Sequence, residues 1–368
     1  MNKLRSNKFD IRQTNIAKGV ALILLAIHHL FYNNPDNYDT FASVFVLNGV
    51  PIECLIANYA KVCVAIFLIM SGYGLTKSYS SYLSKSLNKG NKVVKSFKDA
   101  LIYTKNRFIK LYSDFWLVYL VFVPLGLLFG HSFLTVYENN PINYISDFFG
   151  LSFFVHNGYV NTMNASWWFM SICIVFYALF PLLYWILDRF AEALLVFSLI
   201  LIYTHFDYAQ LKDWLFPFVV GMFFAKYNLF DKLSKVCNNQ LNCILFSVFS
   251  IYICAKFRHY YAGDYPNLDG FFGTSIIILS FLVLSRIPVI SKILEELGKY
   301  SGIIYMFHSF IYFYYFKSLI YSAKYSILIL ILLLAVCYIV ARLLVFLQHL
   351  LRIDLLVNRL TGVKAVVK

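Results

Sequence analysis

IRQTNIAKGVALILLAIHHLF, residues 11–31, is the stretch from which the rest of the chain is read. It begins polar and then turns apolar, yet it carries a lysine at 18 and histidines at 28 and 29. A membrane-spanning helix needs about 20 predominantly apolar residues. An ionisable side chain inside such a helix is costly enough to be a functional candidate by default. With a rise of about 1.5 Å per residue, Lys18 and His29 stand about 16 Å apart along a helix axis, three turns, and so lie on nearly the same face. Leu22 and Leu25 share that face, which is therefore predicted to point into a packed interior. No small-residue cleavage site follows the run, so the span is expected to be retained, with 1–15 a polar tail.

The remainder resembles this opening. Of 368 residues 60% are hydrophobic and only 14% are charged, against roughly 25% charged in an average soluble domain. Such a chain is solvated by lipid, and its function must sit among helices or in their loops. Apolar runs at 16–33, 59–76, 112–130, 168–187, 191–204, 213–225, 241–255, 270–285, 301–316 and 325–348 predict about ten spans. The run at 148–155 is too short to cross and is expected to lie in the interface or re-enter from one side.

Lys and Arg in alternate connections set the orientation, because bases are held back on the cytoplasmic side during insertion. The tails 1–15 and 349–368 and the connections 77–110, 188–190, 226–240 and 286–300 hold 24 bases, against five outside. The two longest external connections, 34–58 and 131–166, contain no Lys or Arg. The fold class expected is thus an all-α, polytopic integral membrane protein, a single transmembrane domain over 1–368 with N and C termini cytoplasmic. The net charge of +14 calls for no nucleic acid: the basic loop 77–110 suits anionic lipid and topology. Seven cysteines without a CxxC pair argue against a metal site or disulfide framework.

Three further segments carry polar residues that lipid should not tolerate. LGKYSGIIYMFHSFIYFYY, 297–315, places His308 near mid-membrane, at a depth similar to that expected of His29. Each histidine reads either as functional or as a core histidine satisfied by a carbonyl or a tyrosine. In VAIFLIMSGYGL, 64–75, Ser71 and Gly72 interrupt a smooth apolar helix, to kink it, to admit a ligand near the backbone, or to let another helix approach. In YTKNRFIKLYSDFW, 103–116, Arg107 and Lys110 stand one turn apart where a span enters the membrane. That suits phosphate groups arriving from the cytoplasm, or an ordinary positive-inside anchor.

These residues together resemble the bacterial acyltransferase-3 membrane family, which acylates cell-surface polysaccharides and related glycans. KGVALILLAIHH, 18–29, is similar to its basic residue, ten intervening residues and histidine, which prefers His29 over His28. VAIFLIMSGYGL, NRFIKLYSDFW, ASWWFMSICIVFYALFPLL, LGKYSGIIYMFH and PFVVGMFFAK resemble its other segments, in order from about residue 9 to 317. The chain departs from the pattern at Ser113, where proline is common, and at Cys173, where many relatives carry glutamate.

The resemblance implies an O-acyltransferase of the bacterial cytoplasmic (inner) membrane. Acyl-CoA, commonly acetyl-CoA, would be the co-substrate, with no bound cofactor and no metal. Its phosphates would suit Arg107, Lys110, Arg12 and Lys18. His29 would act as base or transient acyl carrier, and His308 would donate to the carbonyl oxygen or relay a proton. Ser71, Tyr73 and Trp168 would line the pathway. A glycan acceptor is expected from the outer face, where Tyr137, Tyr144 and Trp167 suit stacking on sugars and equally suit an interfacial belt. The competing readings are a transporter or flippase of a glycan or lipid-linked intermediate, which has no use for a histidine tied to a phosphate anchor, and a non-catalytic scaffold, which would tolerate histidine replacement.

Overall fold

The computed structural model describes residues 8–32, 40–87, 97–156, 161–204, 209–237, 239–261 and 266–362. Residues 1–7, 88–96 and 363–368, parts of the three long cytoplasmic segments expected above, lie outside the described residues.

Helices dominate from end to end: α1 Ile11–Phe31, α2 Ile52–Ala60, α3 Cys63–Leu87, α4 Phe97–Leu125, α5 Phe133–Val136, α6 Pro141–Phe148, α7 Ser152–His156, α8 Trp168–Ile200, α9 Ala209–Tyr227, α10 Leu229–Val236, α11 Gln240–Tyr261, α12 Asp269–Leu282, α13 Pro288–Ser309, α14 Lys317–Tyr321, α15 Ser326–Leu350 and α16 Ile353–Thr361. Lipid offers backbone groups no hydrogen-bond partner, so a spanning segment must satisfy them within its own helix. Strand structure among the described residues is a single short hairpin, Val46–Leu47 against Val50–Pro51. It turns through Asn48 and Gly49 at φ 51° and 80°, the positive values that a two-residue hairpin turn requires.

Seven segments among the described residues are long and apolar enough to cross a membrane: Ile11–Phe31, Ile52–Ser84, Asp99–Leu125, Ala165–Tyr203, Gln240–Tyr261, Pro266–Arg286 and Ser326–Leu350. The chain is an all-α polytopic membrane protein. The other three runs are also helical. Residues 191–204 begin in the second part of α8. That helix is 33 residues long and would reach about 50 Å if straight, beyond the roughly 30 Å of hydrocarbon, but Phe190 breaks it with φ −136° and ψ 53°. Residues 213–225 lie inside α9, and 301–316 run from α13 into a π-helical segment, Phe310–Tyr315. The run 148–155 is broken at Gly150, at φ 67°, which separates α6 from α7.

The chain divides into two compact units. The first comprises Met1–His29, Ile56–Ala100 and Pro181–Lys299. Here two helix pairs meet backbone to backbone through reciprocal glycines. On α3 and α9, a Cβ at Gly72 would stand 2.1 Å from the Phe218 carbonyl oxygen, and one at Gly221 2.0 Å from that of Ile69. On α1 and α13, Gly19 faces the Leu294 oxygen at 2.0 Å and Gly298 that of Asn15 at 1.8 Å. Helices in lipid gain little from hiding apolar surface, so small residues that permit close approach carry their association. Of the roles open to the Ser71-Gly72 pair, close helix packing is the one seen.

The second unit comprises Leu30–Leu55, Leu101–Phe180 and Tyr300–Lys368. Its centre is aromatic: Phe122 stacks on Phe307 and Phe310 at 5.3 and 5.1 Å, and Trp167 packs edge-on to Phe115 and Phe310.

Candidate active site

In the first unit α1 carries Arg12, Lys18, His28 and His29 in one continuous helix, so Lys18 and His29 keep the three-turn separation expected of them. Lys18 is half-buried beside Gly19, where the contact with Leu294 holds the helix in place. The two histidines are treated differently. Nδ1 of His28 lies 2.9 Å from the Ala57 carbonyl, and since a carbonyl only accepts, that nitrogen carries the hydrogen. His28 is therefore committed to α2. His29 is half-buried, with its ring centroid 5.2 Å from that of His28.

Arg12 donates from Nε to Glu295 at 3.1 Å and from Nη2 to the Ser291 hydroxyl at 2.9 Å, tying α1 to α13. Tyr73 is buried, and its hydroxyl donates to the Phe9 carbonyl at 3.3 Å while its ring meets Phe9 edge-on. It fastens the segment before α1. Ser71, half-buried, precedes the α3–α9 glycine contact.

In the second unit His308 is almost wholly buried, at 2% exposure. Its Nδ1–H donates to the Tyr305 carbonyl at 2.8 Å, which leaves Nε2 with its lone pair in the neutral ring. Nε2 faces the Ser309 hydroxyl at 3.5 Å, the outer limit of a hydrogen bond, and Ser309 in turn meets the Ser166 hydroxyl at 2.5 Å. Tyr312 stacks on the imidazole at 5.9 Å. It stands in the π-helical segment that begins directly after Ser309, a local geometry frequent at functional sites.

Beside this row the Met306 carbonyl accepts from Trp167 Nε1 at 2.7 Å and from the Asn164 side-chain amide at 3.2 Å. Asn164, Ser166 and Ser309 were not among the residues singled out from the sequence, which named Trp168 for the pathway and Trp167 only for the outer face. Trp168 is half-buried and packs against Phe169 at 6.0 Å. The available signal was the run NTMNASWWF, where an asparagine caps the short turn that opens the tryptophan helix: Asn164 Oδ1 accepts from the Ser166 amide at 2.9 Å. On α4, Arg107 donates to Tyr103 at 2.9 Å and lies 5.1 Å from that ring, and Lys110 is exposed.

Two of the three aromatic residues expected to stack on sugars are buried. Tyr137 is 0% exposed and Trp167 1%, so neither presents a face to a ligand. Trp167 is held inside by the Met306 carbonyl and by Phe115 and Phe310, and Tyr137 by a carboxylate. Asp147, itself fully buried, accepts from Tyr137 at 2.6 Å, from the Thr162 hydroxyl at 2.7 Å and from the Met163 amide at 2.9 Å. Burial pushes its carboxyl up to about 6, against the opposing pull of these hydrogen bonds and one from Ser152. His131 donates from Nε2 to the Met163 carbonyl at 2.9 Å, and burial lowers its imidazole below the usual range.

A helical membrane protein with a basic-residue and histidine pair on its first span and a second buried histidine in a late span is the class defined so far. The sequence profile of the acyltransferase-3 family, described as an acyltransferase domain, matches residues 11–345, and the chain belongs to that family. It is a membrane acyltransferase. Neither a curated protein nor a solved structure matches the chain.

Proposed function

We propose that the protein is an O-acyltransferase of the bacterial cytoplasmic membrane. It moves an acetyl group from acetyl-CoA, arriving from the cytoplasm, to a hydroxyl of a cell-surface polysaccharide or related glycan. The observation that supports this reading best is the placement of Lys18 and His29 on one face of α1 with His28 committed elsewhere. Lys18, Arg107, Lys110 and Arg12 attract the nucleotide phosphates; of these Arg12 must share its guanidinium with Glu295, so its part is the smallest.

In the transfer, His29 takes the proton of the acceptor hydroxyl as its oxygen attacks the thioester carbonyl. The carbon–sulfur bond then breaks, and the departing coenzyme A sulfur takes up the proton, returning His29 to its neutral state. Of the two roles weighed for His308, a proton relay suits a ring whose Nδ1–H is committed to Tyr305, because Nε2 then accepts from Ser309 rather than donating to a carbonyl oxygen.

The test is release of free thiol from acetyl-CoA by the protein in lipid nanodiscs, compared with His29→Ala. Thiol release that is lost in the variant supports donor and residue together. Equal rates, or no release by the wild type even with surface-glycan extract added, overturns the reading.

A further inference from the structure

External bases are scarce in this chain, five in all, yet three of them, Lys212, Lys256 and Arg258, fall in the first unit together with Lys61 at the outer end of its span. Holding bases outside runs against the insertion bias, so their gathering calls for a reason. Lys61 and Arg258 lie within electrostatic reach of both His28 and Asp269, and Lys61 and Lys212 within reach of Asp213. Asp213 and Asp269 thus face three bases, Lys61, Lys212 and Arg258. Arg258 is engaged by Asp269 at 2.6 Å and sits 5.4 Å from the Tyr59 ring.

Beside this cluster an open cavity of about 220 Å³ is lined by Tyr59, Tyr252, Ala255, Lys256 and His259. The last four are spaced i, i+3, i+4 and i+7 on α11 and so form one face of that helix. Tyr59 closes the opposite side, with its hydroxyl 3.2 Å from His259 Nδ1. Tyr59 follows by two residues the Ala57 carbonyl that anchors His28, and the His28 ring stands next to that of His29. Aromatic faces, an imidazole and an ammonium group are what a carbohydrate with acidic substituents needs: ring faces for its C–H surface and a point charge for its anion.

We propose that this cavity is the acceptor subsite and that it selects a negatively charged glycan over a neutral one. The inference rests on the reading above that a sugar hydroxyl is acylated from the outer side. Lys256 and His259 meet the anionic substituent, and Tyr59 and Tyr252 hold the ring.

The experiment uses the full chain in nanodiscs of zwitterionic phosphatidylcholine, so that anionic lipid does not compete. Binding of oligogalacturonate and of its carboxyl-reduced, uncharged counterpart is measured by calorimetry. The expected result is at least tenfold tighter binding of the charged oligomer, weakening with added salt. The Lys256→Gln/His259→Gln double variant is expected to lose that preference and Lys256→Arg to keep it, with thermal unfolding confirming that both variants fold. Equal binding of the two oligomers, binding of neither, or an undiminished preference in the double variant overturns the proposal. Thiol release from acetyl-CoA by the wild type, recorded in the same nanodiscs, separates the two readings. Its absence alongside an intact charge preference removes the donor assignment and leaves this subsite standing.

Discussion

The glycine crossings of the first unit and the segment 131–167 of the second solve the same problem, holding chain against chain, by opposite means. At Gly19, Gly72, Gly221 and Gly298 nothing is exchanged but shape: each lacks a side chain where a neighbouring carbonyl oxygen stands within 2.1 Å of the place a Cβ would occupy. Around Asp147 shape is secondary and donors from Tyr137, Thr162, Met163 and Ser152 converge on one buried carboxyl. Within lipid, close approach is the available source of association. Where the chain leaves the hydrocarbon, polar groups that are buried must be paired, and here they are paired through a group that titrates. The helix crossings should therefore be indifferent to pH and intolerant of any added atom, and the Asp147 segment the reverse.

The largest expected effect comes from breaking a crossing. Gly221→Leu or Gly19→Leu drives a branched side chain into backbone that cannot yield, and we expect loss of folded protein, a cost above about 3 kcal/mol, read as the monodisperse fraction on size exclusion in detergent. Gly302→Ala, whose Cβ meets nothing within 4 Å, should leave that fraction unchanged; similar losses for both substitutions would dissolve the distinction.

Next in size is Asp147→Ala, which strands the Tyr137, Thr162 and Met163 donors. Leaving a buried polar group unsatisfied costs about 1–3 kcal/mol, so a loss near 3 kcal/mol is expected in denaturant unfolding at pH 7. A change under 0.5 kcal/mol would mean that the segment is held by its aromatic packing alone.

The smallest effect is the pH dependence. The folded carboxyl of Asp147 is raised to about 6, so the folded protein binds a proton that the unfolded chain has released. The stabilisation linked to that proton is complete below the ordinary carboxylate range near pH 4 and is lost as pH rises through about 6. Its ceiling is on the order of 3 kcal/mol for a shift of this size. The unfolding temperature of the wild type should therefore fall between pH 4 and 6.5 relative to Asp147→Asn. Parallel profiles would show that this carboxyl does not govern the segment.

The geometry of the first span was legible before the fold. The spacing from Lys18 to His29 survives because an uninterrupted helix converts a sequence interval directly into a distance and an angle. Ser71-Gly72 was flagged for its break in an apolar run, and its role as a helix contact was one of the readings left open. What misled was the aromatic and asparagine content of 131–166. That composition suits a sugar-binding surface and a buried hydrogen-bonded core equally, and which one forms depends on where Asp147 points. Trp168 was assigned to the pathway and Trp167 to the outer face for a similar reason: at the opening turn of a helix, adjacent residues face about 100° apart, and only the neighbouring Met306 carbonyl shows which tryptophan turns inward.

Hydropathy and the distribution of bases by themselves determined that this is a helical membrane chain, because the cost of exposing backbone and charge to lipid is set locally, residue by residue. Motif order determined the family. The tertiary structure alone decided that His28 is bound to the Ala57 carbonyl, which tautomer His308 adopts, and that Tyr137 and Trp167 are inside rather than out. Each of these depends on a partner from a different segment of the chain, 29 residues away for His28 and 139 for Trp167, and no local pattern encodes which distant group a side chain will meet.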